Sequence, residues 1–214
     1  STLTVLNELI SKDGKSIAKA SSKVEIPSNQ KGKITAKINV KNPQLWDLEN
    51  PNLYQLKTTV LQNGKEIDKT IMQTGFRTFT FDANNGFALN GKWMKMKGVC
   101  LHHDNGALGA VENIHAVRRK LTLMKEMGAN AIRMSHNPHS LEMMQLCDEM
   151  GFIVQAEFTD VWKKKKVTND YHKDWDAWHK QDLEDFIKRD RNHPSVMMWR
   201  IGNEIREQFD SRGF

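Results

Sequence analysis

The chain has 214 residues, of which 38% are hydrophobic and 27% charged, with a formal net charge of +6. Those proportions describe a folded globular chain of one large or two ordinary domains, not a disordered or fibrous one. No apolar run approaches the roughly 20 residues of a membrane span.

The excess of positive charge carries little functional meaning. Lys and Arg alternate with Asp and Glu from Lys180 to Arg191, as on a solvated helix face, and only Lys163 to Lys166 form a basic run. No nucleic-acid partner is expected from this pattern. Two cysteines, Cys100 and Cys147, fall on a predicted strand and a predicted helix, so two half-buried thiols are expected and no disulfide framework. Ser1 is not a natural start, so the compartment is left open, and a periplasmic or secreted parent is compatible with the chain.

Residues 1–83 read as strands. Leu3, Val5 and Leu9 mark a first run before a turn at Lys12-Asp13-Gly14, and Val24 and Ile26 lead to Pro27. Ile34, Ala36, Ile38 and Val40 alternate strictly with polar residues, the period of a half-buried strand. Tyr54, Leu56, Thr58 and Val60 alternate up to Asn63-Gly64, a two-residue hairpin signal, and Ile67 and Ile71 continue on the return strand. Phe76 to Phe81 close the set. Short strands with regular turn signals predict an immunoglobulin-like β-sandwich.

Asn84-Asn85-Gly86 marks a boundary, and residues 84–214 alternate strand with helix. Predicted strands cover Trp93 to Leu101, Ala131 to Met134, Phe152 to Ala156 and Val196 to Ile201. Predicted helices run from an Asn113 N-cap to Gly128, from Leu141 to Met150 before Gly151, and from Asp176 to Arg191. Such alternation implies a parallel sheet. Each strand interior is apolar, and each is followed by chemistry-bearing residues: His102-His103-Asp104, Ser135-His136-Asn137, Glu157, and Asn203-Glu204. Polar residues gathered at the C-terminal strand tips are the mark of an α/β barrel, whose active sites lie on that face. A full barrel takes roughly 250 residues and eight units. The stretch here supplies about four, so half of a TIM (β/α)8 barrel is expected.

Three chemistries compete at these tips. Glu204, following an apolar strand, suits a general acid/base for glycoside hydrolysis, because burial raises a carboxyl pKa toward neutrality. Such chemistry needs a second carboxylate, and Glu157 is the other tip glutamate. Alternatively His102, His103, Asp104, His136 and Glu157 are residue types that bind zinc or iron. In the third reading the histidines are structural and the chain is a carbohydrate-binding or interaction module.

A resemblance discriminates among them. The segments Lys97–Asp104, Asn130–Pro138, Leu146–Phe152, Asp190–Val196 and Trp199–Glu204 resemble, in order and spacing, the motifs of glycoside hydrolase family 2, which holds β-galactosidases, β-glucuronidases and β-mannosidases. Leu45-Trp46 and Asn50–Tyr54 are similar to a stretch of that family's immunoglobulin-like domain. The resemblance implies a central piece of a retaining exo-β-glycosidase, with galactosides the first candidate substrate and glucuronides or mannosides the alternatives. It implies Glu204 as the general acid/base and Asn203 as the amide reaching the sugar 2-hydroxyl. It also implies His102 and His136 as substrate contacts, Glu157 as a site-lining carboxylate, and Asp160 and Trp162 as pocket-lining residues.

The family's nucleophile is a later glutamate, so the 214 residues alone are expected to be inactive. No metal and no cofactor are expected. Two departures stand out: Ala156 where Asp usually precedes Glu157, and Arg200 where a small residue is usual. Arg200 either points to the barrel's outer face or alters the site. The open sheet edge of a half-barrel makes a homo-oligomer one expected outcome.

Overall fold

A computed structural model describes residues 1–209. The chain divides into two compact units, one of Ser1–Trp46 with Asn52–Phe76, the other of Asp47–Pro51 with the chain from Arg77 onward.

The first unit carries β1 (Thr2–Ser11), β2 (Ser16–Glu25), β3 (Tyr54–Gln62) and β4 (Lys65–Thr74) in one antiparallel sheet of order β2-β1-β3-β4. Asn63 and Gly64 make the β3–β4 hairpin at φ 52° and 79°, the left-handed pair that a tight two-residue turn requires. Residues 31–40 do not form the expected strand. Ile34, Ala36, Ile38 and Val40 are half-buried and their neighbours exposed, so the alternation of burial is present, but no ladder is made. Period-2 patterning reports which side chains are covered; a strand also needs a partner for its backbone.

The second unit opens with a three-stranded meander: β5 (Phe79–Asp82), β6 (Gly86–Leu89) and β7 (Lys92–Met94). Two expectations give way here. Phe79 to Phe81 pair with β6 across the Asn84–Gly86 turn rather than completing the first sheet. The single strand expected from Trp93 to Leu101 is two, because β7 pairs back onto β6 and the chain then changes sheets. Asn130 holds the break: its Oδ1 accepts from Lys97 N at 2.7 Å and its Nδ2 donates to Lys95 O at 3.1 Å.

Then come β8 (Gly98–Leu101), α1 (Ile114–Glu126), β9 (Ala131–Met134), α2 (Leu141–Met150), β10 (Ile153–Glu157), α3 (Trp175–Asp190) and β11 (Val196–Arg200). The strands are parallel in the order β11-β10-β9-β8, each beside its predecessor, with one helix per crossover. This is the winding of a (β/α) barrel. The helix starts are chemically marked. Asn113 accepts from His115 N at 2.9 Å, and Ser140 Oγ accepts from Met143 N at 3.1 Å. Gly151 ends α2 in the left-handed conformation.

Alternation along the strands decides what faces where. Ile132, Met134, Val154 and Ala156 join Val117, Leu121, Met143, Met144, Leu146 and Phe186 in one buried core between sheet and helices. Each of these Val, Leu, Ile, Met and Phe side chains contributes about 1.5–3 kcal/mol when fully buried. The opposite, helix-free face carries Cys100, Arg133, Gln155 and Met198, which stand side by side in register. Arg133 Nη1 lies 3.8 Å from Cys100 Sγ, and Gln155 Nε2 lies 3.1 Å from Met198 Sδ. Both cysteines are free, Cys147 buried and Cys100 exposed, so neither is the half-buried thiol expected. Burial raises the Cys147 thiol well above its usual pKa.

Candidate active site at the strand tips

Register places the C-terminal ends together. Glu157, the last residue of β10, stands opposite Arg200, the last of β11, and Leu101 opposite Met134. The polar residues that follow those positions therefore share one rim.

Glu157 is its centre, with 0% of its side chain exposed. Arg133, from the middle of β9, grips it with Nε on Oε2 at 3.0 Å and Nη2 on Oε1 at 3.1 Å. His136 Nδ1 lies 3.3 Å from Oε2, and Arg200 Nε lies 3.2 Å from Oε1. A carboxylate with no water contact needs charge and donors around it, and two guanidinium groups supply both. The Glu157 carboxylate raises the Arg133 pKa against the opposing effect of burial. Arg200 thus points to the helix-free face and into the site, the second of the two orientations its sequence left open. Ala156, by parity, faces the helices and is 1% exposed.

The cluster continues to Asn203. Its Oδ1 accepts from Arg133 Nη2 at 2.7 Å, and its Nδ2 donates to Asp160 Oδ1 at 2.8 Å. Lys166 Nζ donates to Asp160 Oδ1 at 3.0 Å and to Asn203 O at 2.8 Å. Burial works to raise the Asp160 pKa, but the Asn203 and Lys166 hydrogen bonds outweigh it and hold this carboxyl below its usual value. Trp162 stacks on Trp175 with ring centres 5.5 Å apart and donates Nε1–H to Ile201 O at 2.9 Å. Gly202 lies against it: a Cβ there would sit 2.5 Å from the Ile205 side chain and 3.0 Å from Trp162 Nε1.

His102 and His136 meet edge to face, ring centres 4.9 Å apart. They line an open depression together with Asn137, Asp160 and Tyr171.

Glu204 departs from expectation. It was expected buried, and it is exposed, at φ 46°, with no hydrogen bond to its carboxylate among the described residues. The chain leaves the sheet at Gly202, so Asn203 turns inward and the next side chain is carried outward into solvent. The buried carboxylate of the rim is Glu157.

The chain matches the family description "Glycosyl hydrolases family 2, TIM barrel domain" over residues 82–212 and "Glycosyl hydrolases family 2" over residues 1–77. The chain belongs to glycoside hydrolase family 2. Its immunoglobulin-like and partial TIM-barrel parts follow the order of that family. A β-galactosidase of Bacteroides ovatus is 48% identical over 97% of this chain, which spans 24% of that protein. A β-glucuronidase of Bacteroides fragilis is 33% identical over 80% of this chain and 25% of its own length. Among solved structures, a family 2 member from Bacteroides cellulosilyticus superposes with TM-score 0.92 at 41% identity, covering 96% of this chain and 27% of that one. A β-glucuronidase of Bacteroides uniformis, covalently bound to cyclophellitol-6-carboxylate aziridine, matches with TM-score 0.78 at 30% identity over 96% of this chain and 24% of its own. The chain therefore spans about a quarter of the length of the relatives it matches.

Of the family 2 site residues expected, Asn203, His136, Glu157 and Asp160 share one hydrogen-bonded cluster. His102 joins it through its ring contact with His136, and Trp162 through the strand tip. Arg133 and Lys166 were not foreseen as functional. Arg133 had a legible signal, an arginine between two apolar residues of a short strand, which needs a buried acid opposite it. Lys166 looked like one of four loop lysines, and only the fold brings it to Asn203.

Proposed function

We propose that the protein containing this chain is a retaining exo-β-glycosidase that removes terminal β-linked sugars, with a β-galactoside as its substrate and Glu204 as general acid/base. In this reading Glu204 protonates the glycosidic oxygen while a second glutamate, contributed by the later part of the barrel, attacks the anomeric carbon. Water then enters, and Glu204 takes its proton. Asn203 binds the sugar 2-hydroxyl with the second hydrogen of its Nδ2, the first being held by Asp160. His102 and His136 contact the substrate from the first two strand tips, and Trp162 and Asp160 border the sugar.

Glu157 is not the nucleophile in this scheme. Its oxygens are occupied by Arg133, Arg200 and His136, which leaves it a structural anion that orients Arg133 and, through Arg133, Asn203.

The observation that carries the proposal is the Asn203–Glu204 pair, with the Asn203 amide fixed at both ends on the rim. Exposure of Glu204 fits a proton donor that waits for substrate and the rest of the barrel to cover it. The covalent adduct on the Bacteroides uniformis relative supports a double-displacement route, and the Bacteroides ovatus β-galactosidase supports galactose as the sugar.

The test is hydrolysis of aryl β-galactoside, β-glucuronide, β-mannoside and β-glucoside by the full-length protein, by its Glu204→Gln variant, and by the 214-residue chain. The galactoside should be cleaved. Glu204→Gln should lose about 10²–10⁴-fold in turnover of poor leaving groups. The 214-residue chain should be inactive. Near-normal turnover by Glu204→Gln would remove Glu204 from its role, and cleavage by the 214 residues alone, abolished by Glu157→Gln, would move the nucleophile to Glu157.

A further inference from the structure

Behind the rim lies a group of side chains that the proposed glycosidase chemistry does not use. His103 lies two residues past the end of β8, Glu112 sits just before the Asn113 cap of α1, and His139 sits just before the Ser140 cap of α2. Each offers one ligand atom, and the three atoms lie within 4.8 Å of one another. The His103 and His139 rings meet edge to face at 4.1 Å.

What distinguishes the group is its unmet bonding. His103 Nε2, Glu112 Oε1 and His139 Nδ1 are all buried, and none has a hydrogen-bond partner. Buried polar atoms are rarely left so, and three converging on one point call for a common cause. His139 is 1% exposed. Its Nε2 lies 3.4 Å from Ser135 O, and a carbonyl can only accept, so the ring proton belongs on Nε2. Nδ1 is then a bare lone pair. It faces Glu112 Oε1, another lone pair, at 3.8 Å. Glu112 Oε2 is already used, accepting from Ser140 N at 3.3 Å. Two buried atoms without partners, His139 Nδ1 and Glu112 Oε1, thus face each other with His103 Nε2 beside them.

We propose that His103, Glu112 and His139 bind one divalent transition-metal ion of the zinc type, with the fourth position left to water. Two imidazoles and a carboxylate are a ligand set for zinc rather than for magnesium or calcium, which take oxygen. Tetrahedral coordination at 2.0–2.1 Å sets ligand atoms roughly 3.3 Å apart, so small side-chain rotations close the site. The Nε2–H···O=C bond of His139 is the outer contact that commonly fixes the tautomer of a ligating histidine. The ion would tie the β8–α1 connection to the β9–α2 connection. Those two connections carry His102 and His136, so it would act as a positioning clamp for the substrate face, remote from the bond-breaking step.

The experiment is metal loading of the full-length protein. It is stripped with a chelator, dialysed against micromolar free zinc, and assayed for bound metal by mass spectrometry and by competition with a fluorescent chelator. One zinc per chain is expected at this site. Glu112→Gln and His139→Gln should each weaken binding by at least the 10–100-fold that loss of an outer-shell partner alone costs. Cys100→Ser should leave binding unchanged. Cobalt(II) loading of the unaltered protein gives a readout independent of whether the variants fold. Visible ligand-field absorption without a thiolate charge-transfer band is expected, and a thiolate band would place the ion on a cysteine and overturn the proposal. So would zinc bound equally well by both variants, an adventitious ion only. A folded protein that retains no zinc would mean that the gap holds water.

Discussion

At the scale of single residues, the chemistry of the rim rests on how one buried carboxylate is neutralised. Glu157 has more positive charge around it than its own charge requires, from Arg133 on one strand and Arg200 on another. The two arginines are not equivalent. Arg133 is 22% exposed, binds both oxygens and also holds Asn203, whereas Arg200 is 37% exposed, approaches one oxygen, and also donates to Gly202 O at 3.0 Å. Arg133→Met should therefore cost about 3–5 kcal/mol, the usual result of stripping a buried ion of its main partner. Arg200→Ser should cost about 1 kcal/mol or less, because solvent screens it and Glu157 keeps Arg133. Urea unfolding of the two variants checks the order, and equal costs would mean that Glu157 relies on both alike. The sequence posed the Arg200 question without deciding it, because face assignment in β11 depends on an irregularity. Register shifts between Val154 and Gln155, so Met197 has no partner on β10 and the parity of the tip is reset. The exposure of Glu204 was likewise hidden, since it follows from a backbone turn at Gly202 and a left-handed φ that no periodicity announces.

At the scale of elements, most helices and barrel strands were legible because cap, period and breaker agreed. Asn113 and Gly151 are such signals, and each does the local work its type suggests. Gly151 does more than cap. It sits at φ 69°, and a Cβ there would lie 2.4 Å from the backbone oxygen of Leu48, which cannot rotate away. Gly151→Ala should lower stability by about 2–4 kcal/mol, combining left-handed strain with overpacking. A change within experimental error in thermal unfolding would show that the 47–51 segment yields freely.

The turn before β11 gives a pH-dependent counterpart. His193 Nδ1 lies 2.6 Å from Asp148 Oδ2, and Asp148 Oδ1 accepts from Ser195 N at 3.1 Å. Burial pulls the His193 pKa down, but the Asp148 carboxylate outweighs it and raises the net value. A histidine raised in the folded state stabilises fully below its unfolded pKa of about 6.5, and that contribution fades as pH climbs through the folded value. The stability difference between the unaltered protein and His193→Gln should therefore be largest near pH 6 and shrink toward pH 9. A difference that grows with pH would contradict the charged pair. Elements that failed to be legible did so for want of a partner. Residues 31–40 have a strand's alternation and no ladder, while β7 and β8 read as one run because the sheet change between them is marked only by Asn130, distant in sequence.

At the scale of the whole molecule, the family was legible because its motifs are the strand tips, where chemistry and fold constrain the same residues. The metal-type cluster was not, since Glu112 lies in a connection and His139 four residues beyond Ser135, and only folding brings them beside His103. The helix-free face of the parallel sheet leads to the last prediction. β8 and β11 are its edge strands, each paired on one side among the described residues. Beside them Met96 is 42% exposed, Met198 38% and Ile201 56%, an apolar surface that a barrel would close over. Unpaired parallel edges and open apolar surface together favour pairing with another chain. Produced on its own, the 214-residue chain is therefore expected to self-associate at micromolar concentration and to bind a hydrophobic dye. Arg or Lys placed at Met198 should reduce both effects, because a charge on the open face opposes its burial against a second copy. Sedimentation velocity decides the matter. A monomer that binds no dye would mean that Arg133, Arg200 and Gln155 make the inner face polar enough to stand in water, and the drive to close would then lie in the backbone edges alone.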